Sequence, residues 1–186
     1  MASVLKVDKL DPQSGTALEI GTSGDTITVP SGATFNVAGT MQSAGVTVAN
    51  TPFFYAYRAT NWDVANASLT TIPLDTVLYQ TGSTFNTSTY VWTPGEAGTY
   101  KLYAVTRSTD SSWGNLEMYI KTSVAAEVAR AQGTITISST LNLSVIRTLT
   151  SSENVFCTMY QDSGSTKTFT GGSALTFFCG FKLIGA

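Results

Sequence analysis

The side chains that most often carry out enzymatic chemistry are scarce in this sequence. Histidine is absent from the 186 residues, which removes the commonest general base, the usual serine triad and most zinc sites. The two cysteines, Cys157 and Cys179, stand between uncharged neighbours, and nothing adjacent in sequence lowers their pKa. This setting predicts buried, unreactive thiols, and a disulfide between them is the alternative.

The carboxylates that could act as acids, bases or metal ligands are scattered along the chain. A glycosidase needs two of them facing each other across a cleft, and sequence spacing neither shows nor excludes such a pair. No Asp-x-Asp calcium loop is present, and no Lys-Ser/Thr pair follows the Gly171-Gly172 turn. We therefore predict no catalytic residue, no cofactor and no metal site, with a depolymerase as a minor alternative. The carboxylates considered are Asp63, Asp75, Asp110, Glu117, Glu127, Glu153 and Asp162.

Two tryptophans are candidates for ligand contact. Trp62 and Trp113 both lie in polar stretches that are predicted to be loops. A tryptophan beside polar groups suits a sugar ring or a protein hot spot. The alternative is that both rings cover the ends of the fold or meet a neighbouring protomer.

Composition limits the classes of partner. Charged residues make up 12% of the chain and the net charge is −2, which argues against nucleic acid, since nucleic acid requires a clustered basic surface. No apolar run approaches the ~18 residues of a membrane span, so membrane insertion is not expected. The N-terminus lacks the apolar core of a signal peptide, so we expect synthesis in a cytoplasm.

The C-terminal strand organises the assembly predicted for this chain. In Leu175–Ile184 one strand face carries Phe177, Cys179, Phe181 and Leu183, and the other, apolar apart from Lys182, carries Phe178, Gly180, Lys182 and Ile184. A strand with one solvated face alternates apolar and polar residues, so this strand is predicted to be covered on both faces. The domain's own core covers one face, and another copy of the chain is the expected cover for the other.

The first 50 residues contain an internal repeat. A Ser-Gly pair followed by a short strand with two apolar residues recurs at Ser14, Ser23 and Ser31, with a weaker echo from Ser43. Strands this short need neighbours to bury their faces. We predict that residues 1–50 form an attachment arm and a stem of several intertwined chains, and a flexible polar tail is the alternative.

Residues 51–186 are predicted to form a separate head domain. Short strands with aromatic and β-branched residues, separated by Gly, Pro and Asn turns, indicate an all-β sandwich or jelly roll. The segment 124–132 favours helix by its alanines, but strands on both sides at short spacing favour a strand.

Two motifs in the head resemble the complement globular-head family, which has the tumour-necrosis-factor-like jelly roll. They are Phe85-Asn86-Thr87-Ser88-Thr89-Tyr90-Val91-Trp92-Thr93-Pro94 with Ala97-Gly98-Thr99-Tyr100, and the closing Phe177-Phe178-Cys179-Gly180-Phe181-Lys182-Leu183. Ser152-Glu153-Asn154 departs from the family's usual Gly-Asp turn. The resemblance implies a homotrimer that packs around its three-fold axis through the sheet holding the first and last strands. We predict that the trimer interface includes Phe54, Tyr57, Tyr103, Phe178 and Phe181.

The N-terminal repeat is similar to repeats in structural proteins of tailed bacteriophages. In those proteins such repeats form short trimeric stems that present globular heads. The two resemblances together predict a non-enzymatic virion protein, a homotrimeric short fibre or capsid-decoration protein on the virion surface. Residues 1–13 are expected to dock onto capsid or tail proteins, and the choice between these two stays open. The alternative is a tail-fibre adhesin that recognises a host glycan or surface protein.

Overall fold

A computed structural model describes residues 17–18, 20–43, 46–47, 50–108, 110, 114–134 and 139–183. The chain divides into two units, Met1–Thr40 and Met41–Ala186. The predicted head boundary after residue 50 stays a prediction.

The larger unit consists of strands, and no helix occurs among the described residues. The prediction of an all-β fold is confirmed, and the segment 124–132 contributes the start of a strand. In chain order the strands are β1 (Gln42–Ser43), β2 (Val46–Thr47), β3 (Phe53–Tyr57), β4 (Trp62–Val64), β5 (Thr70–Thr71), β6 (Thr76–Thr81), β7 (Thr84–Asn86), β8 (Val91–Thr93), β9 (Gly98–Ser108), β10 (Asn115–Thr122), β11 (Ala129–Thr134), β12 (Ser139–Leu149), β13 (Val155–Gln161), β14 (Lys167–Thr170) and β15 (Phe177–Lys182).

Two antiparallel sheets form the head, with β1 and β2 as a separate pair. The seven-stranded sheet has the order β4-β14-β9-β15-β3-β6, and β12 pairs with β9. The six-stranded sheet has the order β11-β10-β13-β8-β7, and β5 pairs with β13. β3 and β15 come from opposite ends of the head sequence and pair side by side in this sheet. The sheet therefore depends on contacts between residues that are far apart in the chain. This is the predicted jelly roll.

Three aromatic residues of the motif that carried the complement resemblance, Phe85, Trp92 and Tyr100, lie in the core between the sheets. The ring of Phe54 stacks on Trp92 with centroids 4.5 Å apart and on Phe85 at 5.6 Å, and Tyr100 meets Trp92 edge-on at 5.3 Å. The polar ends of two of these rings are satisfied, since Trp92 Nε1 donates to Ser83 Oγ and Tyr100 Oη donates to the Glu96 carbonyl. The aromatic side chains of the motif are therefore core contacts. Where the chain departs from the family, residues 150–153 form a turn closed by the Glu153 amide and the Thr150 carbonyl.

The Ser-Gly pairs of the N-terminal repeat form tight turns. The Asp25 amide donates to the Thr22 carbonyl at 3.0 Å, and the Ala33 amide donates to the Pro30 carbonyl at 3.0 Å. Gly24 and Gly32 occupy the left-handed region, with φ of 97° and 84°, which a type II turn requires at its third residue. The predicted turns are confirmed at Ser23 and Ser31, whereas the unit beginning at Ser14 lies largely outside the described residues.

Candidate self-association surface

Strand alternation places two sets of aromatic residues on opposite sides of β3. Phe54 and Ala56 are 1% and 0% exposed and point into the core, whereas Phe53, Tyr55 and Tyr57 are only partly buried. Successive side chains on a strand point to opposite faces, so these three share the outer face of the seven-stranded sheet.

The register of the sheet brings outward residues of four strands into one row. Tyr55 on β3 stands opposite Tyr79 on β6 and Cys179 on β15, and Cys179 stands opposite Tyr103 on β9. Parallel rows contain Phe53 with Phe181, and Tyr57 with Phe177. Directly opposed side chains on one sheet face lie within contact distance. The outer surface built in this way, here called the aromatic face, comprises Phe53, Tyr55, Tyr57, Tyr79, Tyr103, Phe177, Cys179 and Phe181.

Five rings of the aromatic face, those of Phe53, Tyr55, Tyr79, Tyr103 and Phe177, form a continuous set of contacts. Tyr55 stacks on Phe177 with centroids 4.9 Å apart, and Phe177 meets Tyr103 edge-on at 5.5 Å. Tyr79 lies 5.4 Å from Tyr55 and 5.9 Å from Phe53. Tyr55 Oη donates to the Ser173 carbonyl, which fixes the ring from one side. The rings are therefore held in place by one another although one side of the layer is open.

The open side of the aromatic face is a shallow apolar groove of about 520 Å³. Tyr79, Tyr103 and Phe181 along it remain 51%, 37% and 40% exposed. None of its eight side chains carries a charge at neutral pH, and Lys101 at its margin donates to Ser144 Oγ at 3.1 Å. A contiguous exposed apolar patch marks a surface that binds another molecule.

Partial burial raises the pKa of two groups on the aromatic face, the Tyr55 phenol and the Cys179 thiol. Burial, with smaller contributions from the neighbouring groups of Cys179, Tyr79 and Tyr103, raises the pKa of Tyr55 to about 12. Burial alone raises the pKa of Cys179 to about 11. Both groups are therefore neutral near pH 7, and neither the phenol nor the thiol is an activated nucleophile.

Two of the five predicted interface residues lie elsewhere. Phe54 and Phe178 are 1% and 0% exposed, and their rings meet edge-on at 4.9 Å inside the protomer. Side chains buried in the core cannot line a contact between protomers, so these two assignments are wrong. Tyr57, Tyr103 and Phe181 do lie on the aromatic face, and their role in a trimer stays a prediction.

The structure contradicts the ligand-contact prediction for one of the two tryptophans and does not test it for the other. Trp62 is 5% exposed because β4 directs it inward with Val64, and its ring stacks on Phe169 at 5.0 Å. The prediction that Trp62 contacts a ligand is therefore wrong. Trp113 lies outside the described residues, so its assignment is untested.

The cysteines are free and differ in position. Cys157 is buried, and burial raises its pKa well above the usual value. Cys179 belongs to the aromatic face and is only partly buried, so the prediction of a core position holds for Cys157 alone. Within the described part of the chain, no three His, Cys, Asp or Glu side chains are grouped to hold a metal ion.

The outward residues that the prediction missed are Phe53, Tyr55, Tyr79, Phe177 and Cys179. Their positions in the sequence could have identified them, because residues two apart on a strand point to the same face. Phe177 and Phe181 differ by an even number of positions, so they share a strand face, whereas Phe178 cannot share it.

In the described part of the chain, no helix is long and apolar enough to span a membrane.

Sequence comparison finds no matching protein-family model and no matching curated protein. Solved structures do match the fold. The Eiger tumour necrosis factor from S. frugiperda matches with a TM-score of 0.54 at 12% identity, over 73% of this chain and 95% of that one. Murine APRIL, solved at pH 5.0, matches with a TM-score of 0.56 at 10% identity, over 70% and 99%.

The globular domain of zebrafish complement 1qA protein also matches, with a TM-score of 0.53 at 15% identity, over 72% of this chain and 98% of that one. The TM-scores of 0.53–0.56 establish a shared fold, and at identities of 10–15% the likeness extends no further than the fold. The head of this chain therefore has the jelly-roll fold of tumour necrosis factors and complement globular heads, as the motifs predicted.

Proposed function

We propose that this chain is a non-enzymatic structural protein that assembles into a homotrimer through its aromatic face. The observation that carries the proposal is the aromatic face itself, an uncharged layer of eight side chains with an open groove of about 520 Å³. Its other side is already the core of the protomer. Water contact with such a layer is unfavourable by roughly 25 cal/mol for each Å² of apolar surface, so a second molecule stabilises it by covering it.

Identical copies are the occupant that the surface fits best. The eight side chains of the aromatic face carry no charge, and Lys101, which stands opposite Phe181 on β9, donates to Ser144 Oγ. The face continues through β3 and β15, the strands that the complement resemblance places around a three-fold axis. Three copies arranged in this way cover three aromatic faces at once and leave the six-stranded sheets outside.

The trimer is proposed to serve as a short fibre or a capsid-decoration protein on the surface of a virion. The support is the resemblance of the Ser-Gly repeat, in sequence, to repeats of bacteriophage structural proteins, and the turns of this repeat at Gly24 and Gly32 are eight residues apart. Residues 1–13 would dock onto capsid or tail proteins, and the head would face outward. The burial of Trp62 removes one of the two residues that had favoured a glycan-binding adhesin.

The assembly is tested with a matched pair of charge substitutions in the full chain. Phe181→Asp places a carboxylate on the aromatic face, and Val124→Asp does the same at a 74% exposed residue between β10 and β11. We expect Phe181→Asp to sediment as a folded single chain and Val124→Asp to sediment as wild type. Equal behaviour of the two variants would overturn assembly through this face.

The virion role is tested on particles. Virus particles purified from the source of the chain are probed with an antibody against the head and imaged by electron microscopy. We expect labels at fixed positions on intact particles, and their location separates capsid from tail. Particles free of the protein, with the protein present in the infected cell, would refute the virion role.

A further inference from the structure

The outer face of the six-stranded sheet carries a cluster of polar and aromatic side chains that the proposed assembly leaves unused. The core side chains of β10 and β13 point inward, so the residues between them point outward. Glu117 stands opposite Tyr160 in the register, and Tyr119 stands opposite Thr158. Directly opposed side chains lie about 5 Å apart, and residues two apart on one strand lie about 7 Å apart. These four residues, here called the polar quartet, therefore form one compact patch.

A directed chain of side-chain hydrogen bonds holds one member of the quartet in place. Arg130 donates to Gln132 Oε1, and Gln132 Nε2 donates to Asn115 Oδ1 at 2.8 Å. Asn115 Nδ2 in turn donates to Glu117 Oε1 at 2.6 Å. A guanidinium only donates and a carboxylate only accepts, so the two ends fix the orientation of both amides between them. Glu117 is 9% exposed, and the chain of bonds holds its carboxylate in a preorganised position.

Two polar groups of the quartet have no partner among the described residues. Thr158 is 4% exposed, and its Oγ1 is buried without a hydrogen bond. The bond from Asn115 ends on Glu117 Oε1 and leaves Oε2 free. A buried polar group normally has a partner, either in the protein or in a bound molecule. The quartet therefore offers an acceptor, Oε2, and a hydroxyl, Oγ1, to a molecule from outside the chain.

One aromatic ring of the quartet is available for stacking. Lys121 Nζ lies 5.2 Å from the centre of the Tyr119 ring, and this cation–π contact covers one side of that ring. Tyr160 is only partly buried, and no other ring stacks on it within the part of the chain that the structure describes. A ring beside hydrogen-bonding groups fits a ligand that has an apolar side and a polar edge.

The chemistry of the quartet suits a saccharide better than a nucleic acid or a protein. Nucleic acid requires clustered cations, and the Glu117 carboxylate repels phosphate. The centre of a protein interface is apolar and poor in glutamate, whereas hydrogen bonds here converge on Glu117. A hexose ring has hydroxyls that both donate and accept, and it has an apolar face of C–H groups. One ring can therefore donate to Glu117 while its apolar face covers the Tyr160 ring.

We propose that the polar quartet is a shallow binding site for a hexose ring of a saccharide. One sugar hydroxyl donates to Glu117 Oε2, a second forms a hydrogen bond with Thr158 Oγ1, and the apolar face of the sugar stacks on Tyr160. This inference goes beyond the proposed structural role, and its site shares no residue with the aromatic face. A homotrimer built through the aromatic face leaves the six-stranded sheets outside, so the site stays open in the assembly.

Binding is tested with the full-length chain on an array of defined oligosaccharides of neutral hexoses and N-acetylhexosamines. The strongest binder is then titrated into wild type and variants by calorimetry. Glu117→Gln keeps the shape of the side chain and removes its charge, so it should weaken binding at least about tenfold, as expected for a hydrogen bond to a charged group. Glu127→Gln, the same change at an exposed residue outside the quartet, should bind as wild type.

A second pair of variants tests the stacked ring. Tyr160→Ala should abolish binding because it removes the ring, whereas Tyr160→Phe should keep most of it because the ring remains. Thermal melting of each variant verifies that it is folded.

The outcomes separate this inference from the proposed function. Absence of binding by wild type across the array refutes the saccharide site and leaves assembly through the aromatic face intact. Saccharide binding that is equally strong in Glu117→Gln and Tyr160→Ala places the site elsewhere and also overturns the inference. A single-chain mass refutes the homotrimer, while the effects of the quartet variants on binding still decide this inference.

Discussion

Phe178 and Phe181 lie three residues apart on β15 and face opposite sides of the seven-stranded sheet. Phe178 is 0% exposed and meets the Phe54 ring at 4.9 Å in the core, whereas Phe181 is 40% exposed on the aromatic face. The strand therefore serves two layers, one inside the protomer and one outside it. Because alternate side chains of a strand point to opposite faces, even-numbered residues of β15 face the core and odd-numbered residues face outward.

Truncating these two phenylalanines should affect different properties. Phe178→Ala leaves a cavity in a closed core, so it should lower the free energy of unfolding by about 3–5 kcal/mol. Phe181→Ala removes apolar area from the outer face, and it should mainly promote dissociation on dilution. Urea unfolding at fixed protein concentration and sedimentation at several concentrations measure the two effects. Equal losses of stability in both variants would contradict the division into two layers.

Glycine at position 180 is required by close packing on the core side of β15. A Cβ there would stand 2.8 Å from Leu102 Cδ2 and 3.1 Å from Phe54 Cε1. Gly180→Ala should therefore destabilise the protein by about 1–3 kcal/mol through overpacking. Gly133→Ala on β11 is the matched control, since its nearest neighbour would be Leu141 Cδ2 at 3.9 Å. Thermal melting of both variants decides the matter, and a Gly180→Ala variant as stable as the control would refute the packing argument.

The thiol of Cys179 should react slowly in the native protein. Burial raises its pKa from 9.0 to about 11, which lowers the thiolate fraction at pH 8 by roughly 100-fold. Labelling with iodoacetamide, followed by mass spectrometry of Cys157→Ala, measures this site alone. The unfolded variant in urea gives the reference rate, and native labelling as fast as that reference would show that the thiol is neither covered nor shifted.

Alkaline pH should destabilise the head. The pKa of Tyr100 rises from 10.0 to about 12 through burial and, to a smaller extent, the charge of Glu96, and the pKa of Tyr55 rises to about 12. A group whose pKa is raised by folding stabilises the fold below its unfolded pKa. That stabilisation is lost as pH rises through the folded value. The melting temperature should therefore fall between about pH 10 and 12, with Cys179 contributing from about pH 9 to 11.

Tyr100→Phe tests the assignment of this pH dependence. The variant lacks the titrating phenol, so its melting temperature should fall less steeply above pH 10 than that of wild type. An unchanged slope in Tyr100→Phe would exclude this phenol as a cause.

Much of the head could be predicted because its strands contain recognisable sequence motifs. The Phe85 to Tyr100 motif fills the core, and its rings contact Phe54 at fixed distances, so the motif specifies a fold. The Ser-Gly turns were predictable for a similar reason, since a turn with φ > 0 requires a residue such as glycine.

The outer residues were harder to assign because both faces of β3 and β15 are apolar. Alternation of apolar and polar residues normally identifies the inner face, and here it cannot distinguish Phe54 from Tyr55. The pairing of Cys179 with both Tyr55 and Tyr103 brings together residues that are up to 124 positions apart, counted from Tyr55 to Cys179. Local sequence patterns do not encode such contacts. Trp62 was misplaced because a three-residue strand in a polar stretch resembles a loop.

The mass of the full-length wild-type chain in solution tests the central claim most directly. Light scattering coupled to size exclusion should give three times the 19.7 kDa chain, about 59 kDa, at micromolar concentration and neutral pH. The aromatic face would then be covered by two further copies. A folded species of 19.7 kDa, with the aromatic face open to water, would contradict assembly through this surface.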